Sequence, residues 1–133
     1  MNRLDEIYGA APKAEDFARG YLDYLSGVLA KMDAQAIAAF IGLLVDARGR
    51  GARIFFMGNG GSAATASHFA NDIAFGTRPT GAPFRATSLT DNNAVITAIA
   101  NDIAFEDCFV YQLRTAARAG DVLLTISSSG DSE

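Results

Sequence analysis

Apolar residues recur every three or four positions in the first third of the chain. This spacing, in residues 13–30 and again in residues 33–48, is the period of an amphipathic helix. Asp33 is a residue type that caps helix N-termini, and the glycines at positions 49 and 51 end the second segment. The pattern therefore predicts two helices before any strand. Such a pair either covers one face of a sheet or packs against a second subunit, and the pattern leaves both options open.

From Arg53 onward, short apolar runs alternate with helical stretches. Strands are predicted at about residues 54–57, 85–89 and 121–126, and helices at about residues 62–75, 91–102 and 105–118. Alternation of strand and helix is typical of a parallel sheet with helices on its faces. We predict an α/β fold in a single domain, 1–133, with the helical pair in about 1–50 and the sheet starting at about 51.

The last predicted strand leads into a serine-rich loop with little chain behind it. Ser128–Ser132 resemble a loop and N-cap that open another helix, but only Glu133 follows. Parallel strands normally need helical cover on both faces. We therefore expect this chain to be a fragment or truncated form of a longer protein.

Composition and charge exclude several classes of protein. The 133 residues are 50% hydrophobic and 20% charged, which suits one globular domain and not a disordered chain. Fifteen acidic against eleven basic residues give a net charge of -4, which does not favour binding to nucleic acid. Cys108 is the only cysteine, the first 20 residues lack the features of a targeting peptide, and no apolar run reaches the ~20 residues that span a bilayer. We expect a cytoplasmic protein with no membrane partner.

Two polar loops follow predicted strands. The first, Gly58–Ser62, is rich in glycine, so its backbone N–H groups can approach a ligand closely. The second carries four hydroxyl groups around Gly130: Ser127, Ser128, Ser129 and Ser132. Glycine and serine also simply punctuate turns, but two such loops at the carboxyl edge of one sheet favour an anion, such as a phosphorylated small molecule. Neither loop has the spacing of a nucleotide-binding motif.

The only histidine, His68, has an acidic residue four positions later, Asp72. This spacing places both on one face of a helix, where they could supply two ligands to zinc. The alternative is that His68 simply pairs with its neighbouring aspartate on the helix surface. Taken by itself, the pair favours this alternative. Asn101 and Asp102 either end a helix or bind sugar hydroxyls, and Cys108 has no basic neighbour that would activate it.

Four ordered motifs together resemble the SIS (sugar isomerase) domain, and within it the phosphoheptose isomerase branch. They are Gly58-Asn59-Gly60-Gly61-Ser62, His68-Phe69-Ala70, Ala100-Asn101-Asp102, and the stretch from Gly120 to Ser132. The resemblance covers essentially the whole chain. It implies a three-layer α/β/α sandwich with a parallel, flavodoxin-like or Rossmann-like sheet preceded by two helices, assembled as a homotetramer.

The resemblance also implies an activity and a set of site residues. The reaction is conversion of sedoheptulose 7-phosphate to D-glycero-D-manno-heptose 7-phosphate, a step toward heptose units of bacterial surface polysaccharides. Proton transfer through an enediol needs a base, an acid and stabilisation of an oxyanion. His68 would bind zinc, and Asp72 would bind zinc and substrate and act as the catalytic base. The remaining substrate contacts would come from Asn59, Gly60, Gly61, Asn101, Asp102, Ser127, Ser128, Ser129 and Ser132.

The sequence departs from the family pattern in two ways. Asp72 stands where the family has a glutamate, one methylene longer. The family's other metal ligands and its acid histidine lie on a helix beyond the third strand's loop, which this chain does not reach. A non-catalytic SIS module that binds a phosphosugar or regulates a partner is therefore the alternative. One SIS branch associates with the replication initiator protein, and residues 93–102 resemble that branch at least as well.

Overall fold

A computed structural model describes residues 2–78 and 81–130. The chain divides into two compact units, Met1–Ala39 and Phe40–Glu133. We describe each unit by itself.

The first unit is helical. Helix α1, Arg3–Ala10, begins with a reciprocal capping box in which Asn2 and Asp5 each accept a hydrogen bond from the other's backbone N–H. Helix α2, Ala14–Leu29, confirms the helix predicted at 13–30. The pattern did not predict α1, because eight residues hold too few apolar side chains to form a recognisable stripe.

The second unit contains the sheet. Helix α3 runs from Ala34 to Gly49, and its part from Phe40 onward belongs to this unit. The elements that follow are β1 (Arg53–Met57), α4 (Gly61–Asn71), a π-helical turn (Asp72–Gly76), β2 (Arg85–Ser88), α5 (Asn93–Asp102), α6 (Asp107–Ala116) and β3 (Val122–Thr125). All three predicted strands and the helices between them are confirmed. Their boundaries shift by a few residues, as expected where helix ends fray.

The three strands form a parallel sheet in the order β2-β1-β3. In this register Ile54 lies between Ala86 and Val122. The central strand is the most buried, because a helix layer covers each of its faces. This is the predicted α/β architecture.

Alternate residues of β1 face opposite layers. Ile54 and Phe56, both fully buried, point toward α3 and α4, and the Phe56 ring lies 5.0 Å from that of Phe69. The core on this side consists of Leu44, Ala47, Ile54, Phe56, Ala66, Ala70 and Ile73. Phe55 points to the opposite side, where it shares a cavity lining with residues of α5 and α6. The alternation follows from the two-residue period of a strand.

The outer strand β3 is only half covered. Its residues alternate between partly buried and exposed, and Leu123 keeps 43% of its surface accessible.

Among residues 2–78 and 81–130, no single helix is long and apolar enough to cross a membrane. Only α2 and α3 taken together, across the break between them, reach the necessary length and composition.

Candidate functional site

The two polar loops leave the sheet side by side. The backbone N–H of Ile126 donates to the Met57 carbonyl at 2.9 Å, directly before both loops begin. Gly58 is buried at this point, and a Cβ atom added to it would lie 2.8 Å from the Ile126 carbonyl oxygen and 2.8 Å from Ser62 Cβ. The absence of a side chain at Gly58 therefore lets the first loop pack against the end of β3.

The first loop exposes backbone amides at the start of α4. The N-cap of α4 is Gly60, in the left-handed region at φ 56°, and Ser62 lies inside the helix. The carbonyl oxygens of Asn59 and Gly60 accept hydrogen bonds from the first turn. Within the part of the chain that the structure describes, the N–H groups of Gly60 and Gly61 face no acceptor. This is the arrangement in which a helix N-terminus binds an anion.

The second loop brings hydroxyl groups to the same edge. The Ser127 hydroxyl accepts a hydrogen bond from the Gly130 N–H at 3.0 Å, which folds the loop back on itself. Ser127, Ser128 and Ser129 are exposed at this edge. Ser132 lies outside the described residues.

His68 and Asp72 form the pair expected from their spacing. His68 Nε2 lies 3.3 Å from Asp72 Oδ2, with 78% and 57% of the two side chains exposed. Asp72 is the first residue of the π-helical turn that continues α4. Irregular helical turns of this kind are frequent at functional sites. His68 is seven residues along α4 from Gly61, about 10 Å from the amide end of the helix.

The donor set around this pair does not complete a zinc site. Zinc takes four ligands in structural sites and three protein ligands in catalytic ones. Over residues 2–78 and 81–130, no group of three or more His, Cys, Asp or Glu side chains comes together. His68 and Asp72 thus offer two ligands, and we derive no step through a metal.

Asn101 and Asp102 are the last two residues of α5 and are both exposed. Asn101 Nδ2 donates to Asp102 Oδ1 at 2.7 Å. The end of α6 lies at the amino end of β1, because Arg53 donates to the Ala116 carbonyl. Helix α6 begins soon after Asp102, so Asn101 and Asp102 lie toward the carboxyl side of the sheet. The contacts of the described residues do not join them to either loop.

A third polar cluster stands at the end of β2, and the sequence analysis missed it. The Ser67 hydroxyl lies 3.0 Å from that of Thr90, which lies 2.6 Å from that of Ser88, and Ser67 also donates to the Asp91 carboxylate. The signal was available, since Thr90 and Asp91 follow a predicted strand as the other two loops do. The N-cap of α5 is Asn92, whose side chain accepts from the Val95 N–H, so Asp91 is left to this cluster.

Comparison with known proteins identifies the class to which this fold and edge belong. The chain matches the SIS domain profile over residues 16–133 and is a member of the SIS domain family.

The relatives that it matches include phosphoheptose isomerases. That of Geotalea uraniireducens is 47% identical over 102 residues, which cover 75% of this chain and 53% of the relative. That of Aromatoleum aromaticum is 38% identical over 129 residues, covering 97% of this chain and 63% of the relative.

Solved structures of phosphoheptose isomerases have the same fold. The Francisella tularensis structure matches with a TM-score of 0.82 and 29% identity, over 91% of this chain and 65% of that one. The Neisseria gonorrhoeae structure matches with a TM-score of 0.65 and 36% identity, over 86% of this chain and 62% of that one. The chain therefore spans between about half and two thirds of the length of these proteins.

Proposed function

We propose that this chain carries the phosphosugar-binding part of an isomerase that interconverts sedoheptulose 7-phosphate and D-glycero-D-manno-heptose 7-phosphate. The observation that carries the proposal is the junction of the two loops, where Gly58 packs against the Ile126 carbonyl. It puts the backbone amides of Gly60 and Gly61 at the same sheet edge as the serine hydroxyls. Because the relatives are phosphoheptose isomerases, a non-catalytic regulatory module is not favoured.

The residues divide into those that bind and those that react. The hydroxyls of Ser127, Ser128 and Ser129 would donate to the phosphate oxygens, and the amide end of α4 would add its positive dipole. Ser132 would also bind the phosphate, because it belongs to the same serine-rich motif. Asn59, Asn101 and Asp102 would hold the sugar hydroxyls, because amides and carboxylates together supply both donors and acceptors.

Asp72 would be the catalytic base of the isomerisation. It would take the proton from C1, next to the C2 carbonyl, and return it to C2. One proton must also leave the C1 hydroxyl and one must be added to the C2 oxygen, so that the ketose becomes the aldose through an enediol. Its carboxylate is exposed beside His68. An aspartate is one methylene shorter than the glutamate of the family pattern, and a misplacement of about 1 Å can cost ~10²-fold in rate.

Binding of the phosphate tests this proposal directly. Replacing Ser127, Ser128 and Ser129 together by alanine removes three donors to a charged group, so the Kd for sedoheptulose 7-phosphate should rise at least ~10-fold in isothermal titration calorimetry. Unphosphorylated sedoheptulose should bind parent and variant alike. Ser26→Ala on α2 is the matched control and should bind as the parent does. Equal affinity of the triple variant and the parent would refute the phosphate site.

The 133 residues alone should bind this substrate without turning it over. The resemblance assigns the acid histidine and the remaining metal ligands to a helix beyond them. Measurable isomerisation by the purified chain would contradict this expectation.

We also propose that His68 and Asp72 are two of the ligands of one zinc ion, with the others supplied from outside this chain. His68→Ala should lower the zinc content measured by elemental analysis. In the metal-free protein it should change the free energy of unfolding by less than about 0.5 kcal/mol, because the pair is exposed. Equal zinc content in variant and parent would remove His68 from the ligand set.

The protein would work as a homo-oligomer, a tetramer on the family pattern, in the cytoplasm. Two observations support this. Helix α2 leaves six large apolar side chains exposed: Tyr21, Leu22, Tyr24, Leu25, Val28 and Leu29. The one cysteine, Cys108, is buried and free, as a reducing compartment allows.

A further inference from the structure

An open, groove-like cavity of about 910 Å³ lies beside β2, and the residues assigned to the phosphosugar do not line it. Besides β1 and β2, four elements line it: α4, the π-helical turn, the start of α5, and α6. Asn59, His68, Asp72, Asn101 and the serine loop are absent from its lining. Its volume is within the range of small-molecule sites.

The cavity adjoins the His68–Asp72 pair on helix α4, since Asn71, which lines the cavity, donates from Nδ2 to Asp72 Oδ1 at 3.4 Å. Ser67 and Asn71, four residues apart, line the cavity, and Ala74 follows near the next turn. His68 and Asp72 are each one position further along, about 100° around the helix axis. The same helix thus presents one polar face to the proposed active site and another to the cavity.

The cavity combines an apolar floor with uncharged polar groups. Phe55, Leu89 and Val95 form apolar surface, against which the C–H groups of a sugar ring could pack. Around it stand hydroxyl and amide side chains that both donate and accept: Ser67, Asn71, Thr87, Asn92, Asn93 and Gln112.

Charge selects the class of ligand. Among the described residues that line the cavity there is one carboxylate, Asp91, and no lysine, arginine or histidine. A phosphate would meet a negative charge and no compensating positive one, so it does not fit. The Ser67 hydroxyl already donates to one Asp91 oxygen, which fixes the carboxylate as an acceptor for a ligand hydroxyl. Gln112 is held in the same way, since its side-chain nitrogen donates to the Leu89 and Cys108 carbonyls at 3.0 and 2.8 Å.

We propose that this cavity is a second carbohydrate site, which binds a neutral sugar or polyol through its hydroxyl groups. The site takes no phosphate and does not depend on the proposed isomerase function.

Saturation-transfer NMR with D-mannose as the probe tests the proposal on the whole chain. The double variant Asp91→Asn/Asn93→Ala removes an acceptor charge and an exposed amide, while asparagine at 91 can still accept from Ser67. The Kd for D-mannose should rise about tenfold. Gln35→Ala, an exposed amide on α3, is the matched control and should leave binding unchanged.

Two further measurements distinguish binding in the cavity from binding at the serine loop and from loss of the fold. The triple alanine variant of Ser127, Ser128 and Ser129 should bind D-mannose as the parent does. Thr115→Trp places a large side chain into the cavity from α6 and should abolish binding while circular dichroism shows an intact fold. Absence of saturation transfer in the parent, unchanged affinity in the double and Trp variants, or loss of binding in the serine variant would each overturn the proposal.

Discussion

Gly58 shows how one residue sets the geometry of the candidate site. In the sequence, the glycines of this loop indicate only that a ligand can approach the backbone amides. The structure adds a second reason at Gly58, which is close packing against the Ile126 carbonyl and Ser62. A single glycine therefore allows the ends of β1 and β3 to approach.

Gly58→Ala should destabilise the fold by about 1–3 kcal/mol, because the added methyl group would stand 2.8 Å from backbone and side-chain atoms. The measurement is the free energy of unfolding in urea. Gly42→Ala is the matched control, since Gly42 is in α3 and nothing lies within 4 Å of its added Cβ. It should stabilise by up to about 1 kcal/mol. A Gly58→Ala variant as stable as the parent would contradict the packing argument.

His68 and Asp72 show the range over which sequence spacing is informative. Residues four apart on a helix are neighbours whatever the rest of the fold does, so their contact was predictable. Whether a third metal ligand lies near them depends on segments that are distant in sequence. Residue spacing within one helix does not predict the position of such segments.

At the scale of elements, Asp121 joins two strands at the amino edge of the sheet, opposite the candidate site. Its carboxylate accepts from the Arg53 backbone N–H at the start of β1 and from the Arg118 N–H at the turn before β3, both at 2.8 Å. Hydrogen bonds from the backbone N–H groups of Arg53 and then Arg118 lower the pKa of Asp121 below its ordinary value of 3.8. The sequence analysis had treated Asp121 only as the first residue of a strand.

Stability should depend on pH through this residue. Because the pKa is lower in the folded state, the stabilisation is present above pH 3.8 and is lost as the pH falls through the folded-state pKa. The parent should therefore lose more unfolding free energy than Asp121→Asn between about pH 6 and about pH 3 in urea titrations. Asp23→Asn, on the exposed surface of α2, is the control and should follow the parent. Parallel pH profiles of Asp121→Asn and the parent would exclude this role.

Helix α4 also differs from its prediction in an informative way. The apolar pattern predicted one helix to about residue 75 that ends at Gly76, and the helical segment does end there. Its last turn, which begins at Asp72, is a π-helix and not an α-helix. Hydrophobic periodicity cannot distinguish the two forms over five residues, because the same side chains remain buried.

At the scale of the whole molecule, the exposed apolar face of α2 is the surface that we expect to be buried against a partner. Leu22, Leu25 and Leu29 lie on one face of the helix and are 62%, 38% and 56% exposed. Contiguous apolar surface of this kind marks interaction sites. We propose that a second copy of this chain is the partner that binds this face.

Size-exclusion chromatography with light scattering should give a mass above that of one chain. The double variant Leu22→Glu/Leu29→Glu should shift that mass downward, because charges would be buried at the contact. Asp23→Asn, a neighbouring exposed position, should leave the mass unchanged. A monodisperse monomer for the parent protein would rule out this assembly.

The sequence by itself determined the order and type of the elements from α2 onward and the existence of the two loops. These depend on local periodicity, on capping residues and on glycine, which act over a few positions of the chain. The contact between His68 and Asp72 was determined in the same way.

Only the tertiary structure decided which of these features meet. It joined the loops at Gly58 and Ile126, assembled the Ser67–Asp91 cluster from two elements, and opened the cavity between α4, α5 and α6. Such contacts link residues more than twenty positions apart. They depend on strand order and helix packing, which a local pattern does not encode.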